Sequence, residues 1–486
     1  MLKYINKSDI LILTKKENME VKRVNIPVEK NKEYIVNIVD NGFEGEGIAK
    51  IDGFTIFIPN AIKGEKIKIL IVKVLSSHAF GKILEILEKS EHRVEDDCST
   101  YKRCGGCNLR HIDYEETLNL KQNIVQNLVN KNLKQKVEVK HTWGMGNPYN
   151  YRNKLQYPVG IDKDGEPVLG VFANRTHEII PVNDCMIQNK KANQIAKYIV
   201  DVIKKYKLTV YNETTQEGLL RHIVIKSGIR SEQYMVIFVI NGDFLPFAND
   251  IVRDLKGACH GIESIIANVN KKNTNVILGD KNINILGNGY IRDHLGEYYF
   301  RISALSFYQV NPVQAEALYN IAIENAGITK EDIVFDLYCG IGTISLFAAK
   351  YAKKVYGIEI VKQAIEDAKW NAEFNKVQNT EFIAGDAEKV LTDLIENKKV
   401  IPDVVIVDPP RRGLDNTTIN NILKIHPKRV IYISCNPATL VRDLHLLEEK
   451  YEINMIQPVD MFPFTSHVEC VAVLELKENI ETQLVY

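Results

Sequence analysis

Apolar and polar residues alternate in short runs over residues 33–88. Residues 34–39, 55–58, 66–74 and 81–86 read as strands, separated by Asp-Gly, Asn-Gly and Lys-Gly turns. About sixty residues of this period-two pattern predict a small β-barrel of the kind that often binds oligonucleotides, with a merely packing subdomain as the competing reading. The period then changes. Leu118, Ile124, Val125 and Leu128 fall on one helical face and predict a helix over residues 114–132. Strands at 222–226 and 234–240 with a helix at 192–204 predict a central α+β region. From Gln309 the pattern becomes a helix, a buried strand at 333–337 and a βαβ rhythm running almost to the end, which predicts an α/β domain with a parallel sheet.

A chain of 486 residues exceeds one compact core, so the pattern divides into an N-terminal extension at 1–25, a β-barrel at 26–90, a central domain at 91–300 and an α/β domain at 301–486. Residues 1–25 are Lys-rich and unpatterned, and Met19 is an alternative start. Hydrophobic residues at 45% and charged residues at 26% describe an ordinary globular protein. The early apolar run at residues 10–13 is too short for a membrane span or a signal-peptide core, which predicts a cytoplasmic protein with no membrane partner. Formal net charge is zero, so a nucleic-acid partner would need a local basic face. Residues 98–160 offer one, with ten Lys or Arg against four Asp or Glu.

Chemistry concentrates at strand ends. The segment Asp336-Leu-Tyr-Cys-Gly-Ile-Gly-Thr-Ile-Ser-Leu346 is a strand, a glycine turn and the start of a helix. Gly340 and Gly342 would let backbone pass close to a ligand, while Ser345 replaces the third glycine of a dinucleotide fingerprint. A second strand ends in Glu359, where a carboxylate suits ribose hydroxyls; a third ends in Gly385-Asp386, suited to adenine; a fourth ends in Asp408-Pro-Pro. Such acids without a phosphate cradle fit S-adenosylmethionine, a nucleoside without pyrophosphate, better than NAD.

The next strand, at 429–434, runs into Cys435-Asn-Pro-Ala438 and a helix over 438–450. A cysteine between strand and helix N-terminus is expected to ionise readily and to act as a nucleophile, although a free Cys is more often a small buried hydrophobe. Methylating C5 of uracil needs such a group, because that vinyl carbon is too weakly nucleophilic until a thiolate adds at C6. A base must then remove the C5 hydrogen, and Glu469 in His467-Val-Glu-Cys470, before a strand at 471–476, is the candidate.

Eight cysteines are no disulfide framework in a chain of this length. Cys98-x5-Cys104-Gly-Gly-Cys107 forms a compact three-thiol loop, and Cys185 is a plausible fourth ligand. Spacing leaves zinc and a four-iron cluster both open, excludes the Cys-x3-Cys-x2-Cys pattern of radical chemistry, and points to a structural role.

Together these motifs resemble the RNA (uracil-5)-methyltransferase family, in particular its 23S rRNA branch with a TRAM domain and an iron–sulfur cluster. The resemblance spans residues 34–476 and is carried further by Asp-Gly-Phe-Thr-Ile-Phe-Ile-Pro at 52–59, Tyr-Arg-Asn-Lys-Leu-Gln-Tyr at 151–157 and Ser-Phe-Tyr-Gln-Val-Asn-Pro at 306–312. It implies an OB-like TRAM barrel, a central α+β domain and a class I Rossmann-like methyltransferase domain. It also implies cofactor contacts from Gln309, Tyr338, Glu359 and Asp408, a [4Fe-4S] cluster on Cys98, Cys104, Cys107 and Cys185, and Cys435 and Glu469 as nucleophile and base. Asp386 enters from the strand-end argument alone. Phe464 stands where similar sequences often carry His, a departure that touches substrate detail. The implied substrate is 23S rRNA, with the T-loop uridine of tRNA as the alternative and a catalytically silent RNA-binding factor as a different class. The target uracil must leave its stack, so the barrel and the basic central domain would hold an opened RNA loop. Tyr151, Tyr157 and Phe307 are candidates for stacking on bases, with core packing as the competing role.

Overall fold

The computed structural model describes residues 26–173, 176 and 178–478; residues 1–25, with the alternative start at Met19, and residues 479–486 lie outside that set. Two compact units emerge, one from residues 26–40 and 46–89 and the other from residues 41–45 and 90–478. In the first unit a sheet runs in the spatial order Glu33–Asn37, Lys66–Val74, His78–Glu88, Phe54–Ile58 and Gly47–Ile51. Ile67, Ile69 and Ile71 point inward with Ile56 and Ile58, while Lys66 and Lys68 alternate outward, so the period-two pattern here is a core face opposed to a solvated one. The strand Gly47–Ile51 was not expected, because its glycine breaks the apolar alternation. Its lack of a side chain is a packing requirement: a Cβ on Gly47 would stand 2.6 Å from that of Ala61.

The second unit contains two large sheets. The central one runs Lys281–Leu286, Ile262–Val269, Gln233–Ile240, Leu220–Gly228, Lys154–Ile161, Pro167–Phe172, Ile179–Pro181, and the helices Lys190–Lys205 and Ala248–Ala258 pack into its core. Val224, Met235, Ile237 and Val239 on its other face share a core with Leu318, Tyr319 and Val334 beyond residue 301. The helix Tyr114–Asn132, capped by Asp113 accepting from the Glu116 N–H at 2.8 Å, buries Val125 and Val129 with Leu444, Ile453 and Ile456. Packing is therefore continuous across the expected boundary at residues 300 and 301.

The C-terminal sheet runs Thr380–Ala384, Lys354–Glu359, Ile333–Leu337, Val404–Val407, Arg429–Ser434, Glu469–Leu476, Tyr451–Val459. The first five strands are parallel, and Glu469–Leu476 returns antiparallel to both of its neighbours. From Ile333–Leu337 the chain builds outward in one direction, then returns to Val404–Val407 and builds in the other. Such a reversal opens a crevice outside the strand C-termini, where open α/β sheets bind ligands. No helix among the described residues is long and apolar enough to cross a membrane.

Candidate functional site

At the reversal point Asp336 is fully buried, and Ser345 Oγ donates to its Oδ2 at 2.5 Å while Oδ1 has no partner. Burial, with Asp408 and Glu359 nearby, pushes its carboxyl up to about 7. Glu359 accepts from the Gly340 N–H at 3.3 Å and the Val361 N–H at 2.9 Å, which fixes its carboxylate at the strand end. Tyr338 takes the left-handed conformation with φ +69°, unusual for an aromatic residue, and its N–H and that of Cys339 both donate to the Ile358 carbonyl. The two glycines differ in role. A Cβ on Gly340 would meet open space, whereas one on Gly342 would press to 2.9 Å from the Phe382 ring, so Gly342 serves packing rather than ligand approach. Asp386 is exposed and caps the helix Ala387–Glu396 by accepting from the Glu388 N–H at 3.2 Å. Burial, then the charges of Asp415 and of Asp386 itself, raise the Tyr338 phenol to about 12.

Asp408, beyond the strand Val404–Val407, is not wholly enclosed but sits deep, and burial pushes it up to about 7. Gln309 is buried, and its carbonyl accepts from Asn153 Nδ2 at 2.8 Å. Its side chain meets the Tyr319 hydroxyl, whose ionisation is suppressed by burial and by Asp408 and Glu469. Sequence reasoning missed Tyr319, because a tyrosine inside the helix Pro312–Ala326 reads as core.

Cys435 and Glu469 are brought together by register. Ser434 pairs with Cys470, so one step further along these antiparallel strands Cys435 lies beside Glu469. Asn436 caps the helix Pro437–Leu447, its Oδ1 accepting from the Ala438 N–H at 3.1 Å. The expectation of a readily formed thiolate is overturned: burial, then the charges of Glu469 and Asp408, push the Cys435 thiol up to about 11, with Arg411 opposing. Desolvation and two acids outweigh a helix terminus whose first N–H groups are already taken by the cap and by proline. Glu469 is itself buried, its Oε2 has no partner, and burial with Asp408 pushes it up to about 8. Arg411, quoted in the sequence only as part of a motif, is therefore the cation acting on both groups.

The loop before Glu469 is anchored from far along the chain. Lys121 and Asp460 form a fully buried ion pair, and Tyr114 Oη donates to the same carboxylate at 2.7 Å. Gln314 Nε2 donates to the Asp460 carbonyl at 3.0 Å and Asn311 Nδ2 to that of Met461 at 3.1 Å. The Asn108 and Leu109 N–H groups both donate to the Phe464 carbonyl, and the Ser466 N–H donates to Asn108 Oδ1 at 2.9 Å. Phe464 is buried with φ +66°, and the Arg110 guanidinium lies 4.4 Å from its ring centre.

Cys98, Cys104, Cys107 and Cys185 are all partly buried and free. Burial and one another's charge raise the Cys104 thiol and push Cys107 up to about 12. The Gly106 N–H donates to Cys104 Sγ at 3.3 Å. Among the described residues no group of three or more His, Cys, Asp or Glu side chains is arranged to hold a metal ion. Of the three aromatic candidates for base stacking, Tyr151 and Tyr157 are core, while Phe307 is 67% exposed.

Residues 264–477 match the model of the tRNA (uracil-5-)-methyltransferase family, and residues 27–84 match the TRAM domain. An uncharacterised RNA methyltransferase of Clostridium acetobutylicum is 47% identical over 93% of this chain and 98% of its own. Another, from Halalkalibacterium halodurans, is 45% identical over 93% of this chain and 98% of its own. Among solved structures, the Pyrococcus abyssi tRNA (uracil-54, C5)-methyltransferase in complex with S-adenosyl-L-homocysteine superposes with a TM-score of 0.72 at 27% identity, covering 90% of this chain and 99% of that one.

Proposed function

Because the chain belongs to the tRNA (uracil-5-)-methyltransferase family and carries a TRAM domain, we propose that it methylates C5 of a uridine in RNA through a covalent Cys435 adduct. The observation that carries this is the strand register that sets Cys435 beside a buried, partnerless Glu469 carboxyl. S-adenosylmethionine, when bound, supplies an electrophilic methyl group on a sulfonium. The residues at the reversal point fit it: Glu359 for ribose, the open side of Gly340, Tyr338, Asp386 and Gln309 around the nucleoside, and Asp408 between that edge and the nucleophile. The unpartnered Asp336 Oδ1 marks polar capacity left over in the same crevice.

Cys435 Sγ, on losing its proton, bonds to C6 and sends the C5=C6 electron pair toward C5 and O4. C5 then takes up the methyl group. Glu469 removes the C5 proton, that bond pair re-forms C5=C6, and the C6–S bond breaks to release the thiolate. Glu469 is competent only once ionised, so its raised position makes the elimination half-reaction pH-sensitive.

Within the RNA class the reading favours a 23S rRNA uridine, supported by the four-cysteine set and its resemblance to that branch. The same cysteines would hold a four-iron cluster, with zinc as the alternative, a reading that rests on their spacing and on the resemblance to that branch. A tRNA uridine is the second reading, favoured by the substrate named for the Pyrococcus abyssi protein. Incubating the purified enzyme with methyl-labelled cofactor and either rRNA or tRNA transcripts decides between them. Label in 5-methyluridine of rRNA alone supports the first, label in tRNA alone the second, and label in neither contradicts the activity. Iron and acid-labile sulfide analysis tests the cluster, and their absence from anaerobically purified protein would remove it.

A further inference from the structure

We propose that the outward face of the hairpin Tyr290–Leu295 and Tyr298–Ser303, with the flank of the helix Lys362–Phe374 beside it, is a stacking platform for the single-stranded nucleotides that flank the target uridine. This rests on the RNA activity proposed above. The hairpin alternates in period two. Ile291, Asp293, Leu295, Phe300 and Ile302 are buried, which turns Tyr290, Arg292, His294, Tyr299 and Arg301 to the other side. Arg292 stands directly opposite Arg301 in the pairing, and His294 opposite Tyr299, their rings 5.5 Å apart. Helix aromatics extend the row. Tyr290 lies 6.3 Å from Trp370, Trp370 stacks on Phe374 at 4.8 Å and 13°, and Phe374 meets Tyr299 at 6.0 Å, while the Arg301 guanidinium lies 4.8 Å from the Tyr290 ring centre. Asparagines fix the seam. Asn375 accepts from the Tyr299 N–H at 2.9 Å and donates to its carbonyl at 2.7 Å, and Asn371 accepts from the Arg301 N–H at 2.8 Å. The row is therefore held in place before anything binds.

Charge names the occupant. Like charges directly opposite each other on paired strands repel, and here two arginines face each other. Asp367, fully buried, lies 2.9 Å from Arg301 Nε and balances one of them. Arg292 is exposed, and its guanidinium makes no hydrogen bond or ion pair among the described residues. No outward position of the two strands carries a carboxylate, and Glu297 in the turn is taken by Lys350 at 2.7 Å. On the helix Glu366, Lys369 and Glu373 are exposed around the stack, so the positive ground belongs to the hairpin. Tyr299 and Phe374 remain 48% and 45% exposed. Cations set among open aromatic rings suit phosphates and bases together, which is how single strands are held with little regard to sequence. The position suits an RNA track. Ser303, opposite Tyr290, and Ser306 both donate to Asp367, and Lys226 Nζ donates to both of their carbonyls, at 2.7 Å and 2.8 Å. The hairpin is thereby pinned to the segment that carries exposed Phe307 and then Gln309, and Ile291 and Ile302 line one small cavity with Phe307. An RNA strand leaving the cofactor edge beside Phe307 meets this end of the hairpin first.

Trp370 reports on this face. It and Trp143 are the two tryptophans of the chain, so Trp143→Phe protein emits from Trp370 alone. That protein is titrated, with tryptophan emission as the readout, against an oligouridine of about 16 nucleotides, an abasic strand of the same length, and whichever rRNA or tRNA transcript accepts methyl groups. Oligouridine and the transcript should quench Trp370, and the abasic strand should not. Arg292→Gln and Tyr299→Ala are assayed in the wild-type background, with thermal melts to show that each is folded. Each should raise KM for the transcript about fivefold while kcat and the affinity for S-adenosylmethionine stay within about twofold, and Arg292→Gln should lower the slope of log Kd against log salt by about one. Trp370 emission unchanged by a transcript that is bound, as read by the anisotropy of an end-attached dye, would overturn the proposal and leave the face to a protein partner. So would an unchanged KM in both variants, or equal quenching by abasic and base-bearing strands. Quenching by oligouridine in a chain that methylates neither transcript would instead overturn the activity and leave the RNA platform standing.

Discussion

The proposed nucleophile and the proposed base sit at the ends of neighbouring strands, yet the chain positions them in opposite ways. Cys435 is placed by residues next to it in sequence: the strand Arg429–Ser434, the Asn436 cap and the helix Pro437–Leu447, which also clamps the Arg411 turn. Glu469 is placed by Lys121, Tyr114, Asn108 and Gln314, each more than 140 residues away. A local device tolerates change elsewhere in the chain. A device assembled from three distant segments makes the proposed base depend on much of the second unit being folded, and it ties the cysteine loop to the Glu469 loop through Asn108 and Phe464.

Four substitutions sharpen this contrast. Cys435→Ala should reduce methyl transfer by a thousandfold or more, on the order expected for loss of a covalent nucleophile, while leaving the thermal melt unchanged. Lys121→Ala should do the reverse. It leaves Asp460 buried without its cation, which costs about 3–5 kcal/mol of stability, read by denaturant unfolding; a loss below about 1 kcal/mol would show that the base loop does not hang on this pair.

Third comes pH. Glu469 has a folded-state value of about 8 against an ordinary value of 4.5, so the folded protein holds a proton that the unfolded chain has lost across that window. Stability is therefore fullest below about 4.5 and falls as pH rises through about 8. Glu469→Gln should remove that fall, making the variant more stable than wild type by on the order of 2 kcal/mol at pH 9 but not at pH 5. Equal differences at the two pH values would contradict the buried acid. The smallest expected effect is that of Asn436→Ala, about 1 kcal/mol of helix stability from the lost cap, read by denaturant unfolding.

Much of this site was legible in sequence because it is local. Strand, glycine turn and helix are contiguous from Asp336 to Leu346, and each acid at a strand end follows its own apolar run, so periodicity located Glu359, Asp386 and Asp408 without any tertiary information. The strands Lys66–Val74, Ile333–Leu337 and Arg429–Ser434 and the helix Tyr114–Asn132 carry the expected bounds for the same reason. What periodicity could not show was what those elements touch. Tyr319 reads as core until its hydroxyl is found to meet Gln309 and to feel the charges of Asp408 and Glu469. The buried pair of Lys121 and Asp460 lies 339 positions apart, and nothing in either neighbourhood announces the other. The state of Cys435 was misjudged because a helix N-terminus is visible in sequence, whereas burial and the approach of two acids from other strands are not.

The central claim is that Cys435 bonds to the uracil and Glu469 releases it. It is tested most directly by mixing Glu469→Gln protein with substrate RNA and S-adenosylmethionine and running the mixture on a denaturing gel. With its base gone, the methylated adduct cannot lose its C5 proton. A protein–RNA band should accumulate that requires cofactor and is absent from the variant that also carries Cys435→Ala. Glu469→Gln protein that binds RNA but turns over at the wild-type rate without any such band would contradict the account.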